Sequence, residues 1–318
     1  METPPLRYYA HGKLLLSGEY AVLDGALAWA VPTKYGQWLE IFPDSPGMIV
    51  WQALDNEEIP WFEATIKLSD LTVIQYNDYG FATRLAEILQ AVRKQNPNFL
   101  KSNRGIKAVT RLEFPQDWGL GSSSTLISLI AQWAEVDAYK LLADTFGGSG
   151  YDVACAQSGT PILFNLEQGN PVWEAVSHLP PFKEHVCFVY LGKKQNSREG
   201  IARYRKLDID YPKLASEITL CTITMQAAQR LDTLQQSMEW HENLISSALE
   251  LEKVKDRLFS DFKGSVKSLG AWGGDFVMAV SPLTTAEVMA YFEAKGYHTL
   301  LTWDELVLDG NCISPNPS

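Results

Sequence analysis

Asp117-Trp118-Gly119-Leu120-Gly121-Ser122-Ser123-Ser124-Thr125, running straight into the apolar residues 126–133, is the stretch of this chain whose reading decides the fold. Gly119 and Gly121 let the backbone take conformations closed to residues with a Cβ, and let main-chain N–H groups come close to an anion. The three serines supply a helix N-cap and hydroxyl donors. The helix that follows would turn its unbonded N–H groups and positive dipole end toward whatever the loop holds. The run therefore reads as a phosphate-binding loop feeding a helix N-terminus. Its spacing is neither Gly-x-x-x-x-Gly-Lys-Ser/Thr nor Gly-x-Gly-x-x-Gly. A serine-capped turn would use the same letters, so the reading rests on three further segments.

The first is Ala10-His11-Gly12-Lys13-Leu14-Leu15-Leu16-Ser17-Gly18-Glu19-Tyr20, where a lysine beside glycine opens a strand and can aim a cation into a cleft. The second is Gly147-Gly148-Ser149-Gly150-Tyr151-Asp152-Val153-Ala154, whose glycines hold Asp152 at a loop tip or in the first turn of a helix. The third is Leu269-Gly270-Ala271-Trp272-Gly273-Gly274-Asp275, a second glycine-rich loop.

Composition narrows the partners. With 27 basic and 38 acidic residues the net charge is −11, and no basic stripe stands out, which argues against nucleic acid and anionic membranes. A pocket for a polyanion must then be locally basic or use backbone dipoles. The four cysteines are scattered, with no Cys-x-x-Cys pair, and read as reduced thiols. The first residues lack a signal-peptide apolar core, and no stretch approaches the roughly 18 apolar residues of a spanning helix. The expectation is a cytoplasmic protein, monomer or homodimer.

The length of 318 residues suits two domains. Strand-like runs cover residues 7–10, 14–17, 28–31, 38–42, 48–51 and 61–68, and a helical period of apolar residues covers 79–94. Residues 106–113 alternate as a strand, 138–145 read as a helix and 160–165 as a strand. Near Pro180-Pro181 the texture changes. Strands at 186–191, 276–280 and 298–303 alternate with helices at 211–237, 240–259 and 284–295. Trp133 and Trp240 fall at apolar helical positions and are expected in the core. The pattern predicts an α+β protein with one domain over residues 1–180 and a second, antiparallel sheet with helices on one face, over 181–318.

Taken in order, the Gly-Lys-Leu-Leu-Leu-Ser-Gly-Glu start, the Gly-Leu-Gly-Ser-Ser loop, the Ser-Gly-Tyr-Asp run and the Gly-Ala-Trp-Gly-Gly run resemble the GHMP kinases, closest to the mevalonate and phosphomevalonate kinase branch. The resemblance spans roughly residues 8–280. It implies a mixed α/β nucleotide-binding domain joined to a ferredoxin-like domain, with ATP and Mg²⁺ in the cleft between them and a small-molecule acceptor. Mevalonate or phosphomevalonate, in isoprenoid precursor synthesis, leads. By the same resemblance Gly119, Leu120, Gly121, Ser122, Ser123 and Ser124 wrap the ATP phosphates, with Ser123 on Mg²⁺. Asp152 takes the acceptor's proton and Lys13 neutralises the moving phosphoryl group, holding Asp152 ionised with a depressed pKa. Gly273 and Gly274 close the back of the phosphate site. Glu19, Tyr20, Ser197 and Arg198 face the acceptor.

The sequence also departs from the pattern. Tyr20 stands where mevalonate kinases have a histidine, which puts mevalonate itself in question. Trp272 replaces a small residue and is expected to pack on the nucleotide, line the acceptor pocket or narrow the site. The glutamate that serves the family as a second metal ligand has no clear counterpart; Glu135 and Asp144 are candidates. A different small-metabolite kinase, or a binding-only relative that keeps the loops without turnover, is the alternative.

Overall fold

The computed structural model describes residues 4–310 apart from Ser177, Lys194, Asn196 and Gly273. The chain opens on two long antiparallel strands, β1 (Leu6–Ser17) and β2 (Ala28–Asp44). Each joins two runs that the sequence suggests as separate strands. Gly12 and Pro32, which would ordinarily interrupt a ladder, sit at a register shift between His11 and Lys13, where ladder bonds are missing in any case. The shift frees the Lys13 N–H to donate to the Leu120 carbonyl at 2.9 Å, tying the strand to the glycine-serine loop.

β3 (Met48–Leu54), β4 (Pro60–Lys67) and β5 (Val73–Tyr76) precede α1 (Tyr79–Gln95) and β6 (Gly105–Leu112). Then come α2 (Ser122–Ala134), α3 (Ala138–Thr145), α4 (Tyr151–Gln157), β7 (Ile162–Glu167) and β8 (Asn170–Ala175). The sheet runs β5-β4-β3-β6-β2-β7-β8, with β1 on β2; β3 and β6 are parallel, the other pairs antiparallel. The apolar faces of α1, α2 and α3 pack on its alternating inward residues, among them Leu39, Ile49, Trp51 and Ile66.

The second half contains β9 (Val186–Tyr190), α5 (Ser197–Tyr204), α6 (Tyr211–Gln226), α7 (Leu231–Leu249) and α8 (Val254–Leu258). It ends with β10 (Ser265–Ser268), β11 (Phe276–Val280), α9 (Thr285–Ala294), β12 (Leu300–Thr302) and α10 (Trp303–Leu306). Its antiparallel sheet has the order β10-β11-β9-β12, the ferredoxin-like arrangement. An apolar cluster joins the halves: Leu14, Trp29, Val31 and Leu120 from one side meet Phe188, Met225, Met278 and Trp303 from the other. Among the described residues no helix is long and apolar enough to cross a membrane.

Two expectations are corrected. The break between α6 and α7 falls at residues 227–230, not near 238, because Met225, Ala228, Leu234 and Met238 must all reach the shared core. No Gly or Pro marks it. Trp133 packs edge-on against Phe99 at 4.7 Å, but Trp240 stays 39% exposed because the buried face of α7 is taken by Met238, His241 and Ile245.

Candidate active site

The glycine-serine loop takes the shape its glycines permit. Gly119 (φ 69°) ends a short 3-10 turn, and Gly121 (φ 89°) is the N-cap of α2. The cap is thus a glycine and not a serine, and no side chain caps the helix. The first-turn N–H groups are left as donors. Ser124 Oγ instead donates to the Gly121 carbonyl at 2.8 Å, and Thr125 Oγ1 to Ser122 O and Gln37 Oε1 at 3.0 and 2.6 Å. Leu120 is fully buried and anchors the loop, so it can offer a ligand only its backbone. Ser122 is partly exposed and Ser123 exposed.

Lys13 and Asp152 converge here. Gly150 (φ 92°) starts α4 and places Asp152 in its first turn, where the carboxylate accepts the Val153 N–H at 3.0 Å. Lys13 Nζ donates to Gly119 O at 3.2 Å and lies 5.6 Å from the centre of the Tyr151 ring, a neighbour the sequence reading missed. Burial opposes the Lys13 charge, but Tyr151, Asp152 and Asp275 outweigh it and raise its pKa. For Asp152 the balance runs the other way. Burial raises its carboxyl above the usual aspartate value, against the pull of Lys13, the Val153 N–H and Ser124. The expected depression is therefore reversed, because desolvation of the carboxylate exceeds the attraction of one lysine. Both groups keep a partly exposed edge.

The second glycine loop closes on the first from the other half. Asp275, at φ 51°, accepts the Gln195 N–H at 3.0 Å and lies against Gly119. A Cβ on Gly119 would fall 2.6 Å from the Asp275 Cγ, so the close approach requires glycine. A Cβ on Gly274 would lie 2.2 Å from Lys193 O, in the segment after β9, so that close approach requires glycine there. Gly273 lies outside the described residues.

Glu19 and Tyr20 are placed behind the site and not on it. Glu19 is fully buried, bonded to Lys267 Nζ and 3.0 Å from His241 Nε2. Tyr20 is 8% exposed, stacks on Tyr204 at 5.4 Å, and donates its hydroxyl to Ala271 O at 2.8 Å. Their polar atoms are spent inside the protein, which corrects the expectation that they face the acceptor. Trp272 is likewise buried, in the cluster with Tyr20, Tyr204 and Ile218, and neither stacks on an open site nor lines one.

Ser197 and Arg198 begin α5, both exposed. The Arg198 guanidinium sits 5.1 Å from the centre of the Phe146 ring, which Arg84 also approaches at 5.5 Å. Phe146 leads into the glycines before Asp152, so guanidinium groups from both halves stand at that entrance, Arg84 paired with Glu87 at 2.8 Å. Glu135 is the C-cap of α2, ~20 Å along the helix from the loop at 1.5 Å per residue, and cannot reach a metal there. Asp144 is exposed near the end of α3.

No protein-family model matches the chain, and no curated protein matches it. Solved structures do. Phosphomevalonate kinase of Streptococcus pneumoniae, in complex with phosphomevalonate and AMPPNP, superposes with a TM-score of 0.71 at 15% identity, over 93% of this chain and 99% of that one. L. major mevalonate kinase, in complex with R-mevalonate, gives 0.66 at 15% identity over 98% and 100%. Lactococcus lactis galactokinase, complexed with galactose, gives 0.68 at 12% identity over 92% and 89%. At such identities the likeness is one of fold.

Proposed function

We propose that this chain, which has the two-domain GHMP kinase fold, is an ATP-dependent kinase that moves the γ-phosphoryl group of MgATP to a small alcohol or phosphate monoester. Mevalonate and phosphomevalonate are the leading acceptors. The observation that carries the reading is the meeting of Lys13 and Asp152 beside Gly119, at the open N-terminus of α2.

Phosphoryl transfer asks a protein mainly to position groups and spread charge. The α2 N–H groups and the Ser122 and Ser123 hydroxyls would receive the phosphate oxygens. Lys13 supplies a point charge that its neighbours keep protonated. Magnesium enters as part of the MgATP substrate. Among the described residues no three His, Cys, Asp or Glu side chains gather into a metal site. The exposed Ser123 hydroxyl is the protein group suited to an ion held chiefly by phosphate oxygens and water. For an alcohol acceptor, the oxygen bonds to the γ-phosphorus as the bond to the ADP oxygen breaks, and the proton passes to Asp152. The raised pKa of that carboxyl makes it a better proton acceptor than an ordinary aspartate. Arg198, exposed at the start of α5, would favour an acceptor bearing an anionic group.

The test is acceptor-dependent ADP release with MgATP, offering mevalonate, phosphomevalonate and galactose in parallel. Release with one acceptor establishes the kinase and its branch. Nucleotide binding with no release from a wide acceptor panel would refute turnover and leave a binding protein on a kinase fold.

A further inference from the structure

We propose that Lys267 is a positioning residue for phosphoryl transfer: buried between the two halves, it ties Glu19, behind the strand that carries Lys13, to Ser268 at the root of the second glycine loop, and so sets how closely that loop approaches Gly119. The proposal rests on the kinase reading above.

Lys267, Glu19 and His241 are fully buried and Glu242 is 2% exposed. They come from β10, the turn after β1 and α7. Lys267 Nζ donates to Glu19 and, at 3.0 Å, to the Ser268 carbonyl. The neighbouring Gly18 N–H donates to His241 Nε2 at 3.2 Å. On the far side of the loop, Tyr20 donates to Ala271 O. Residues 268–271 are thus held at two carbonyls by side chains tied to the turn that follows β1. At the other end of that loop Asp275, held within its own half by the Lys193 carbonyl at 2.7 Å and the Leu191 N–H at 2.8 Å, meets Gly119. An ion pair taken wholly out of water contributes little net stability, since desolvation offsets attraction. What this one supplies is a fixed distance between Lys13's strand and the loop facing it.

The surroundings make that function readable by pH. Burial and Lys267 keep His241 below its usual range, so it is neutral at pH 7. Burial opposes the Glu19 charge, but Lys267 outweighs it and keeps the carboxylate ionised. Cys221, facing the lysine from α6, is pushed up to about 12 by burial and remains a thiol. Tyr20, beside Glu19, is likewise raised to about 12 by burial. Glu242 is the group that changes. Burial lifts it to about 8, against the pull of Lys267, whose Nζ lies 4.0 Å from Glu242 Oε1. Above that pH a second carboxylate competes with Glu19 and Ser268 for the same ammonium.

The experiment compares wild type with Lys267→Met, Lys267→Arg and Glu242→Gln in the full chain. It measures ADP release from pH 6 to 9, affinity for a fluorescent ATP analogue, and thermal unfolding. Displacing a positioning element by about 1 Å costs up to ~100-fold in rate, so Lys267→Met should lose roughly 10–100-fold in kcat with acceptor KM within about twofold. Analogue affinity should also fall, and Lys267→Arg should restore most of both. The wild-type rate should decline above about pH 8, and Glu242→Gln should remove that decline. Full kcat in Lys267→Met, or no rescue by arginine together with an unchanged upper limb in Glu242→Gln, would overturn the proposal. Should Lys267→Met not fold, the arginine and glutamine variants decide. If wild type releases no ADP with any acceptor, the kinase reading fails by itself. Analogue affinity then decides the positioning claim through the same three variants, and equal affinities across them refute it.

Discussion

Replacing Glu242 by glutamine should stabilise the protein, and by an amount that grows with pH. The carboxyl is 2% exposed, with Lys267 Nζ 4.0 Å from its Oε1 and Ser268 beside it. Burial raises it from 4.5 to about 8. Because the folded value lies above the unfolded one, folding favours the protonated form. The contribution of this group to stability is therefore greatest below pH 4.5, falls as pH rises, and levels off above about 8. A shift of about 3.5 pKa units is worth ~5 kcal/mol in full, since each unit is about 1.4 kcal/mol. About 1 kcal/mol of this has been lost by pH 5 and roughly 4 kcal/mol by pH 8, so this group should weaken the wild type by ~3–4 kcal/mol across that window. Glutamine has nearly the same shape and no charge to desolvate, so Glu242→Gln should escape this slope. For a chain of 318 residues the difference corresponds to an extra Tm gain of ~5 °C at pH 8 relative to pH 5. Thermal unfolding of both proteins at pH 5, 6.5 and 8 measures it. A Tm difference independent of pH would show that Glu242 is ionised throughout, and would refute the claim that burial outweighs Lys267 at this carboxyl.

Asp152→Asn keeps the shape of the first turn of α4 but removes the proton acceptor. It should cost ~3–5 kcal/mol of transition-state stabilisation while ATP-analogue affinity stays near normal, and unimpaired turnover would sink the role given to Asp152. The raised carboxyl of Asp152 also places the acid limb of the rate above the ordinary aspartate range for an alcohol acceptor, and a pH–rate profile checks this. Gly119→Ala puts a Cβ 2.6 Å from the Asp275 Cγ at a φ of 69°, so the two loops must separate. Analogue affinity should drop by the equivalent of ~1–3 kcal/mol, the usual cost of such strain, which a fluorescence titration reads. Tyr20→Phe removes the bond to Ala271 O and should lower stability by about 1 kcal/mol with acceptor KM unchanged. A large change in KM would return Tyr20 to the acceptor site.

The parts of this protein legible in the sequence are those governed by neighbours along the chain. The glycines at 119, 121 and 150 announce left-handed backbone, and each is found there, opening the helices that carry Ser123 and Asp152. Alternation and helical periodicity locate most of the strands and helices, since a side chain's face follows from its position in its own element. The short helix α5 has no announcement in the sequence, because its first residues, Ser197 and Arg198, carry no apolar period.

What only the tertiary structure decided concerns partners distant in the chain. Gly119 needs its missing side chain for Asp275 as well as for its own φ. Glu19, Tyr20 and Trp272 look like cleft residues by their place in motifs, yet Lys267, Ala271 and the helices around Tyr204 draw them inside. The break between α6 and α7 has no local signal because it answers to the core shared by the two halves. Ionisation follows the same rule. Lys13 beside Asp152 suggests a depressed carboxyl, and Glu242 looks like any helical glutamate, but each is raised by burial. The sequence by itself determined which backbone shapes and which charges are available. The fold decided which of those charges lose their water, because desolvation depends on everything packed around a group and not on the residues beside it.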